Sequence, residues 1–367
     1  MQTLKNTIAE LNIRYPLEKL SDPEKILFID IETTGLSPDN SVVYMIGCGY
    51  VKNGSCRTIQ FFADDVGDEE EVLYSFYNFS LKYDTLVTFN GNKFDIPFLE
   101  NRMNRHDMPM NFNNFKGVDI YKRIRPYRAL FSLPDLKQKS VESFLDISRD
   151  DKKSGSELIK VYAEYTEKPT EFSLNLLLQH NYDDVVGMMK LLSMLSYCDA
   201  FNDPIKAEKA VKNNYKDYNG QIKSELIVEF SYPTPIPKPV SAGFSDCYLM
   251  LGGNRGKLRI AMYTGQLKFF YPNYMDYYYL PDEDKAVHKS VGAYVDKDHR
   301  QQAKASNCYT RKKGVFLPEW AEIVTPVFYE NYRDNTMYFE LSETIKNDPE
   351  VFTRYAAHMM EMIMKEA

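Results

Sequence analysis

The stretch Lys25-Ile-Leu-Phe-Ile-Asp-Ile-Glu-Thr-Thr-Gly-Leu36 constrains this chain more than any other. It opens as an almost unbroken apolar run, the pattern of a central strand covered on both faces. Two acids, Asp30 and Glu32, interrupt it. Residues two apart in a strand project from the same face, so these carboxylates stand side by side. Like charges so placed repel, and burial worsens the repulsion. A divalent cation between them removes the difficulty, because hard metals such as Mg2+ favour carboxylate oxygen. The plainer reading is a strand that ends in polar residues, but acids alternating with Ile29 and Ile31 fit it less well.

The rest of the chain supplies a frame for that strand. At 367 residues, with 44% of them hydrophobic, the chain is long enough for two domains that each bury a core. Residues 1–24 read as a lead-in with a short amphipathic helix, closed by Asp22-Pro23. After the opening strand, Val42 to Lys52 and Ser55 to Phe62 read as two strands joined by Asn53-Gly54, a strong hairpin signal. An acidic run from Asp64 leads into a helix with Val72, Leu73, Phe76 and Phe79 on its apolar face. Thr85 to Phe89 and Val118 to Tyr121 read as further strands, and helices follow to about Tyr197. The order β-β-β-α-β-α-β predicts an α/β domain over 25–200, a mixed five-stranded sheet flanked by helices. Residues 201–225 turn polar and read as an exposed connecting helix or linker. From 226 to 367 short strands and Gly-rich turns predict a second, smaller β-rich domain. In it Pro233 to Pro239 reads as a break, Asp282 to Asp296 as a helix and Pro349 to Lys365 as a closing helix.

Composition narrows the setting. No run approaches the roughly 18 apolar residues of a membrane span, and no basic-then-apolar leader opens the sequence. Five scattered cysteines without C-x-x-C spacing predict free thiols in a reducing, cytoplasmic compartment. The net charge of −7 argues against a bulk nucleic-acid binder but leaves room for a local basic groove.

Two further acids attract attention. Asp95 lies in Asn90-Gly-Asn-Lys-Phe-Asp-Ile-Pro-Phe98, a polar turn at a strand's end, where an Asp serves equally well as a helix cap. Asp184 lies in Gln179-His-Asn-Tyr-Asp-Asp-Val-Val186 and interrupts an otherwise apolar helical segment, so it needs a partner or a metal. His180, four residues earlier, shares its face and reads either as a catalytic group or as a hydrogen-bonded structural histidine. Asp183, rotated by about 100°, reads as the solvent-facing neighbour. Asp30, Glu32, Asp95 and Asp184 thus come from three elements, the arrangement that two-metal phosphoryl chemistry requires. No phosphate-cradling Gly-rich loop accompanies them.

Together, Phe28-Ile-Asp-Ile-Glu-Thr-Thr-Gly35, Asn90-Gly-Asn-Lys-Phe-Asp95 and His180-Asn-Tyr-Asp-Asp184 resemble the DEDD 3′–5′ exonuclease superfamily. Within it the chain is similar to bacterial ribonuclease H-like proteins related to proofreading exonucleases, over roughly residues 25–197. The resemblance implies a ribonuclease H-like fold and a nuclease that hydrolyses phosphodiester bonds at the single-stranded end of DNA or RNA. It places the metal-binding acids at Asp30, Glu32, Asp95 and Asp184. Two ions, Mg2+ or Mn2+, are implied: one on Asp30, Glu32 and Asp184, the other on Asp30 and Asp95. One position departs from the usual pattern, in which a Tyr stands four residues, or a His five, before the last Asp. Here His180 stands four before Asp184, so its residue type fits a general base while its spacing follows the Tyr version. A catalytically silent nucleic-acid-binding or scaffold protein of the same fold is the rival reading.

Weaker features remain. Arg102, Arg105, Lys122, Arg123, Arg125 and Arg128 read as substrate-backbone contacts or as a solvated face. Asp119 reads as structural. Phe269 to Tyr279, with the basic run Arg300 to Lys313, has the composition of a strand-binding surface or of a Tyr-rich β core beside a solvated loop.

Overall fold

The computed structural model describes residues 1–108, 111–150, 153 and 155–366. Its first compact unit comprises Met1–Asp199 with Ile236–Lys238, and its second Ala200–Pro235 with Pro239–Ala367.

The first unit is built on a six-stranded mixed sheet. Its strands are β1 (Gln2–Thr7), β2 (Ile26–Thr33), β3 (Val43–Lys52), β4 (Ser55–Phe62), β5 (Thr85–Thr88) and β6 (Lys116–Asp119), in the order β1-β4-β3-β2-β5-β6. β1 to β4 are joined antiparallel, whereas β5 runs parallel to β2 and β6 parallel to β5. Asn53 and Gly54 both take positive φ, 51° and 71°, as the tight β3–β4 turn demands. β2 is central, and Ile26 to Ile29 are wholly buried. Eight α-helices among the described residues accompany the sheet. They are α1 (Glu69–Ser80), α2 (Asp95–Arg105), α3 (Ile120–Ile124), α4 (Arg128–Phe131), α5 (Gln138–Phe144), α6 (Gly155–Glu167), α7 (Glu171–Leu191) and α8 (Leu195–Asn202).

The sheet has one strand more than the sequence predicts, because residues 2–7 form β1 rather than a helix. β1 is an edge strand whose outward side chains are polar, so it carries little of the alternation that identifies a buried strand. It pairs along β4 from Gln2–Phe62 to Thr7–Arg57. The terminal ammonium of Met1 lies 2.9 Å from Asp68, at the start of the helical segment that follows β4.

A buried ion pair ties α1 to α2. Arg102 Nε donates to Glu69 Oε1 at 2.8 Å, and Glu69 Oε1 also accepts from the Val43 amide. His106 Nε2 lies 2.9 Å from Glu69 Oε2. Arg102 Nη1 donates to the Pro38 carbonyl, while Arg105 Nη2 donates to Asp39 Oδ1. Both arginines therefore anchor the loop after β2.

The second unit departs further from expectation. Residues 206–216 form a strand, β7 (Lys206–Lys216), not a connecting helix, and β7 pairs with β8 (Ile222–Phe244). Its solvent-facing lysines hide the pattern. The Pro-rich segment 233–239 lies inside β8 and does not break it. Prolines at every second position share one face, where Pro233, Pro235 and Pro239 are exposed while Thr234, Ile236 and Val240 are buried. They begin only after the β7 ladder ends at Lys206–Ser231, so no paired amide is lost to it.

β9 (Cys247–Ala261) completes that sheet. A four-stranded sheet runs β10-β14-β16-β15, from β10 (Tyr263–Phe270), β14 (Tyr309–Glu319), β15 (Val327–Phe328) and β16 (Met337–Glu340). A three-stranded sheet runs β12-β11-β13, from β11 (Tyr277–Leu280), β12 (Lys285–His288) and β13 (Gln301–Gln302). The helix expected over 282–296 is reduced to one turn, α9 (Lys289–Gly292), because Asp284 takes positive φ, 48°, and β12 begins straight after it. α10 (Glu343–Lys346) and α11 (Pro349–Glu366) close the chain.

Removing one partner of a buried pair strands the other charge. Arg102→Met is therefore expected to destabilise the protein by about 3 kcal/mol in urea denaturation. A loss below about 1 kcal/mol would mean that Glu69 is satisfied without it.

Candidate metal centre

Three elements deliver acids to one place. Asp30 and Glu32 stand on the same face of β2, and the β2–β3 register shifts directly after Glu32. Asp95 is the first residue of α2 rather than its cap; the cap position is Phe94. The turn before α2 is held by Asp119, which accepts from the amides of Asn90 (2.9 Å) and Asn92 (3.2 Å) and caps α3 at Lys122. Asp95 Oδ1 in turn accepts from the Ile31 amide at 3.2 Å, between the two acids of β2. His180 and Asp184 share a face of α7, with His180 Nε2 at 3.1 Å from Asp184 Oδ2 and 3.6 Å from Glu32 Oε1.

Donor atoms of Glu32, His180 and Asp184 lie within 4.8 Å of one another, a group among the described residues that could hold a metal ion. All are oxygen or imidazole nitrogen, which suits a divalent cation. Electrostatics point the same way. Burial, then the charges of Asp184, Glu32 and Asp95, push the Asp30 carboxyl well above the usual carboxylate range. Burial first, with Asp119 and Asp184 adding to it, pushes Asp95 up to about 7. A cation among these groups relieves the strain that raises both.

Asp30 and Asp184 each have a fixed side-chain partner that sequence reading missed. Asn181 Nδ2 donates to Asp30 Oδ2 at 2.9 Å, while Asn181 Oδ1 accepts from Gln60 Nε2 at 3.0 Å. Burial first, with the Glu32 carboxylate adding to it, drives the Tyr44 phenol pKa well up. Arg149 Nη1 donates to Asp184 Oδ1 at 2.8 Å. A signal for Asn181 was available, since it shares the α7 stripe of Val185, Met188 and Met189. Gly47 and Gly49 are the matching signal on β3, as alternate glycines in a strand mark a close approach. A Cβ on Gly47 would sit 2.0 Å from Asn181 Oδ1, and one on Gly49 2.7 Å from Met189 Sδ.

Of the other residues singled out, Asp183 is half-buried rather than free in solvent; it accepts from Gln179 Nε2 and the Asp150 amide. Arg102 is buried against Glu69, so it is not disposed to meet substrate. Lys122, Arg123, Arg125 and Arg128 are exposed along α3 and α4.

Residues 27–196 match the family model described as the RNase_H superfamily. The matched segment holds strands β3 to β6 and nearly all of β2, while the edge strand β1 lies outside it. DNA polymerase 1 of Sulfurisphaera ohwakuensis is 23% identical over an alignment of 206 residues that covers 47% of this chain and 23% of that protein. The chain thus spans about a quarter of the length of that relative. Among solved structures it is similar to the family B DNA polymerase of the hyperthermophilic archaeon Pyrobaculum calidifontis, at 14% identity and TM-score 0.37 over 68% of this chain and 35% of that one. It is also similar to a moderately thermophilic Exonuclease I from Methylocaldum szegediense, at 10% identity and TM-score 0.30 over 56% of this chain and 54% of that one. No helix among the described residues is long and apolar enough to cross a membrane.

Two predictions follow from the geometry. Asn181→Ala and Gly47→Ala each release Asp30, and a Mn2+ titration by calorimetry is expected to show affinity weakened by about ten- to a hundredfold. Wild-type affinity in both would remove Asn181 from the site.

The second concerns pH. Asp95 moves from an ordinary 3.8 to about 7 on folding. The metal-free native state therefore binds more protons than the unfolded chain between roughly pH 4 and 7, and this group's contribution to stability falls as pH rises through that window. Asp95→Asn should flatten the slope of metal-free stability, and added Mn2+ should stabilise the wild type more at pH 8 than at pH 5.5. An unchanged slope in the variant would contradict the assignment.

Proposed function

We propose that the first unit is a divalent-metal-dependent nuclease acting as a 3′–5′ exonuclease on DNA or RNA. The observation that carries this reading is the convergence of Asp30, Glu32, Asp95 and Asp184, with His180, from β2, α2 and α7. The superfamily match over residues 27–196 supports it, as does the similarity to a protein named as a DNA polymerase.

Asp30, Glu32 and Asp184 are the residues that would hold one Mg2+ or Mn2+ ion, and Asp30 with Asp95 the other. Bound ions supply a nucleophilic water at neutral pH and offset charge on the departing oxygen. His180, seated between Glu32 and Asp184, takes up the proton lost from the attacking water, and the two carboxylates fix its ring. Asn181 holds Asp30 in place, so its geometry survives the arrival of a phosphate. Hydrolysis from a free 3′ end releases nucleoside monophosphates.

End-labelled single-stranded DNA and RNA, each in linear and circular form, test the proposal with Mn2+ or Mg2+. Stepwise shortening of linear strands is expected, with circles intact. Asp30→Asn should lower the rate by about a hundredfold or more. Cleavage of circles would assign an endonuclease instead. Equal cleavage by the variant, or none by the wild type with either metal, would refute the reading.

A further inference from the structure

We propose that Arg149 is a positioning residue of the metal centre, which holds Asp184 so that a single carboxylate oxygen faces the other ligands. The inference rests on reading the acidic cluster as a metal centre.

Asp184 divides its two oxygens between two partners. Oδ1 accepts from Arg149 Nη1 at 2.8 Å, while Oδ2 lies 3.1 Å from His180 Nε2. An oxygen held in a charge-assisted hydrogen bond is a poor second ligand, so Asp184 is set up to bind through Oδ2 alone.

Arg149 is itself fixed. The same Nη1 lies 3.0 and 3.2 Å from the two oxygens of Glu142, which is 1% exposed. Glu142 occupies a space that only glycine leaves open, because a Cβ on Gly187 would sit 2.0 Å from Glu142 Oε1. Gln138 Nε2 donates both to Glu142 Oε1 (2.9 Å) and to the carbonyl of Asp184 itself (2.8 Å). The neighbouring Asp150 amide donates to Asp183 Oδ2 at 3.1 Å. The chain at 149–150 thus docks on both consecutive acids of α7, and α5 grips α7 at the residue that carries the ligand.

Charge arithmetic separates positioning from simple neutralisation. Glu142 and Arg149 cancel, so together they add no net positive charge to the four acids. A cation recruited only to offset those acids gains nothing from a wholly buried carboxylate at its back. A cation recruited to hold one carboxylate still gains a rigid seat.

The experiment compares wild type, Arg149→Met, Arg149→Lys and Glu142→Gln by Mn2+ calorimetry, steady-state hydrolysis of single-stranded oligonucleotide and metal-free melting. Arg149→Met is expected to weaken Mn2+ affinity about ten- to a hundredfold and to lower kcat, with KM for the oligonucleotide little changed. Arg149→Lys keeps the charge without the planar fork. It covers the case in which the Met variant does not fold, and should weaken Mn2+ binding by about threefold or more at an unchanged melting temperature. Glu142→Gln should fall between wild type and Arg149→Met.

Wild-type Mn2+ affinity and kcat in folded Arg149→Met or Arg149→Lys would overturn the proposal while leaving the nuclease reading intact. A fall in melting temperature with unchanged metal affinity would also overturn it, as the mark of a structural brace alone. Absence of Mn2+ binding and hydrolysis in the wild type would overturn both readings together.

Discussion

Carboxylates repel, and at the end of β2 the repulsion is severe. Glu32 and Asp184 offer ligand atoms within 4.8 Å of each other. At an effective dielectric of about 20, two unit charges at that distance cost roughly 3 kcal/mol. Asp30 and Asp95 add to this, and burial first, with neighbouring carboxylates adding to it, raises the pKa of both. A fold whose whole stability is on the order of 10 kcal/mol does not carry such a cluster by accident. It is tolerable because the acids are held: Asp30 by Asn181, Asp95 by the Ile31 amide and Asp184 by Arg149, with His180 3.6 Å from Glu32.

Much of the surrounding architecture serves this restraint. Gly47 pairs with Asp30 across β2 and β3, and its missing side chain lets Asn181 of α7 reach over the sheet. Gly187 does the same for Glu142 on the far side of Asp184. Asp119 holds the turn that delivers Asp95, and the Glu69–Arg102 pair holds the helix that begins with it. The candidate metal centre is therefore less a set of five residues than a strand and two helices fixed at close range by glycines and buried polar pairs.

How much of this was legible in the sequence follows from where each residue sits. The buried strand β2 and the Asn53-Gly54 hairpin were readable, because burial on both faces and positive φ leave strong local marks. Asp30, Glu32, Asp95, His180 and Asp184 were readable because each interrupts apolar surroundings or ends an element. β1 and β7 were not, since edge strands with solvated lysine and polar faces carry no such contrast. The prolines of β8 misled for a related reason: a period of two, not their number, was the signal. Arg149 left no mark at all, because an arginine among the charged residues of a loop reads as solvated until its fold neighbours are known. Asn181 could have been found, as a polar residue on an apolar helical stripe facing alternate glycines.

The account turns on whether the four carboxylates are a metal centre, and crystals soaked in Mn2+ test that most directly. It predicts anomalous density within coordination distance of Asp30, Glu32 and Asp184, with Arg149 still bonded to the outer oxygen of Asp184. Crystals that take up Mn2+ elsewhere, or show no density among these acids at millimolar metal, would contradict it.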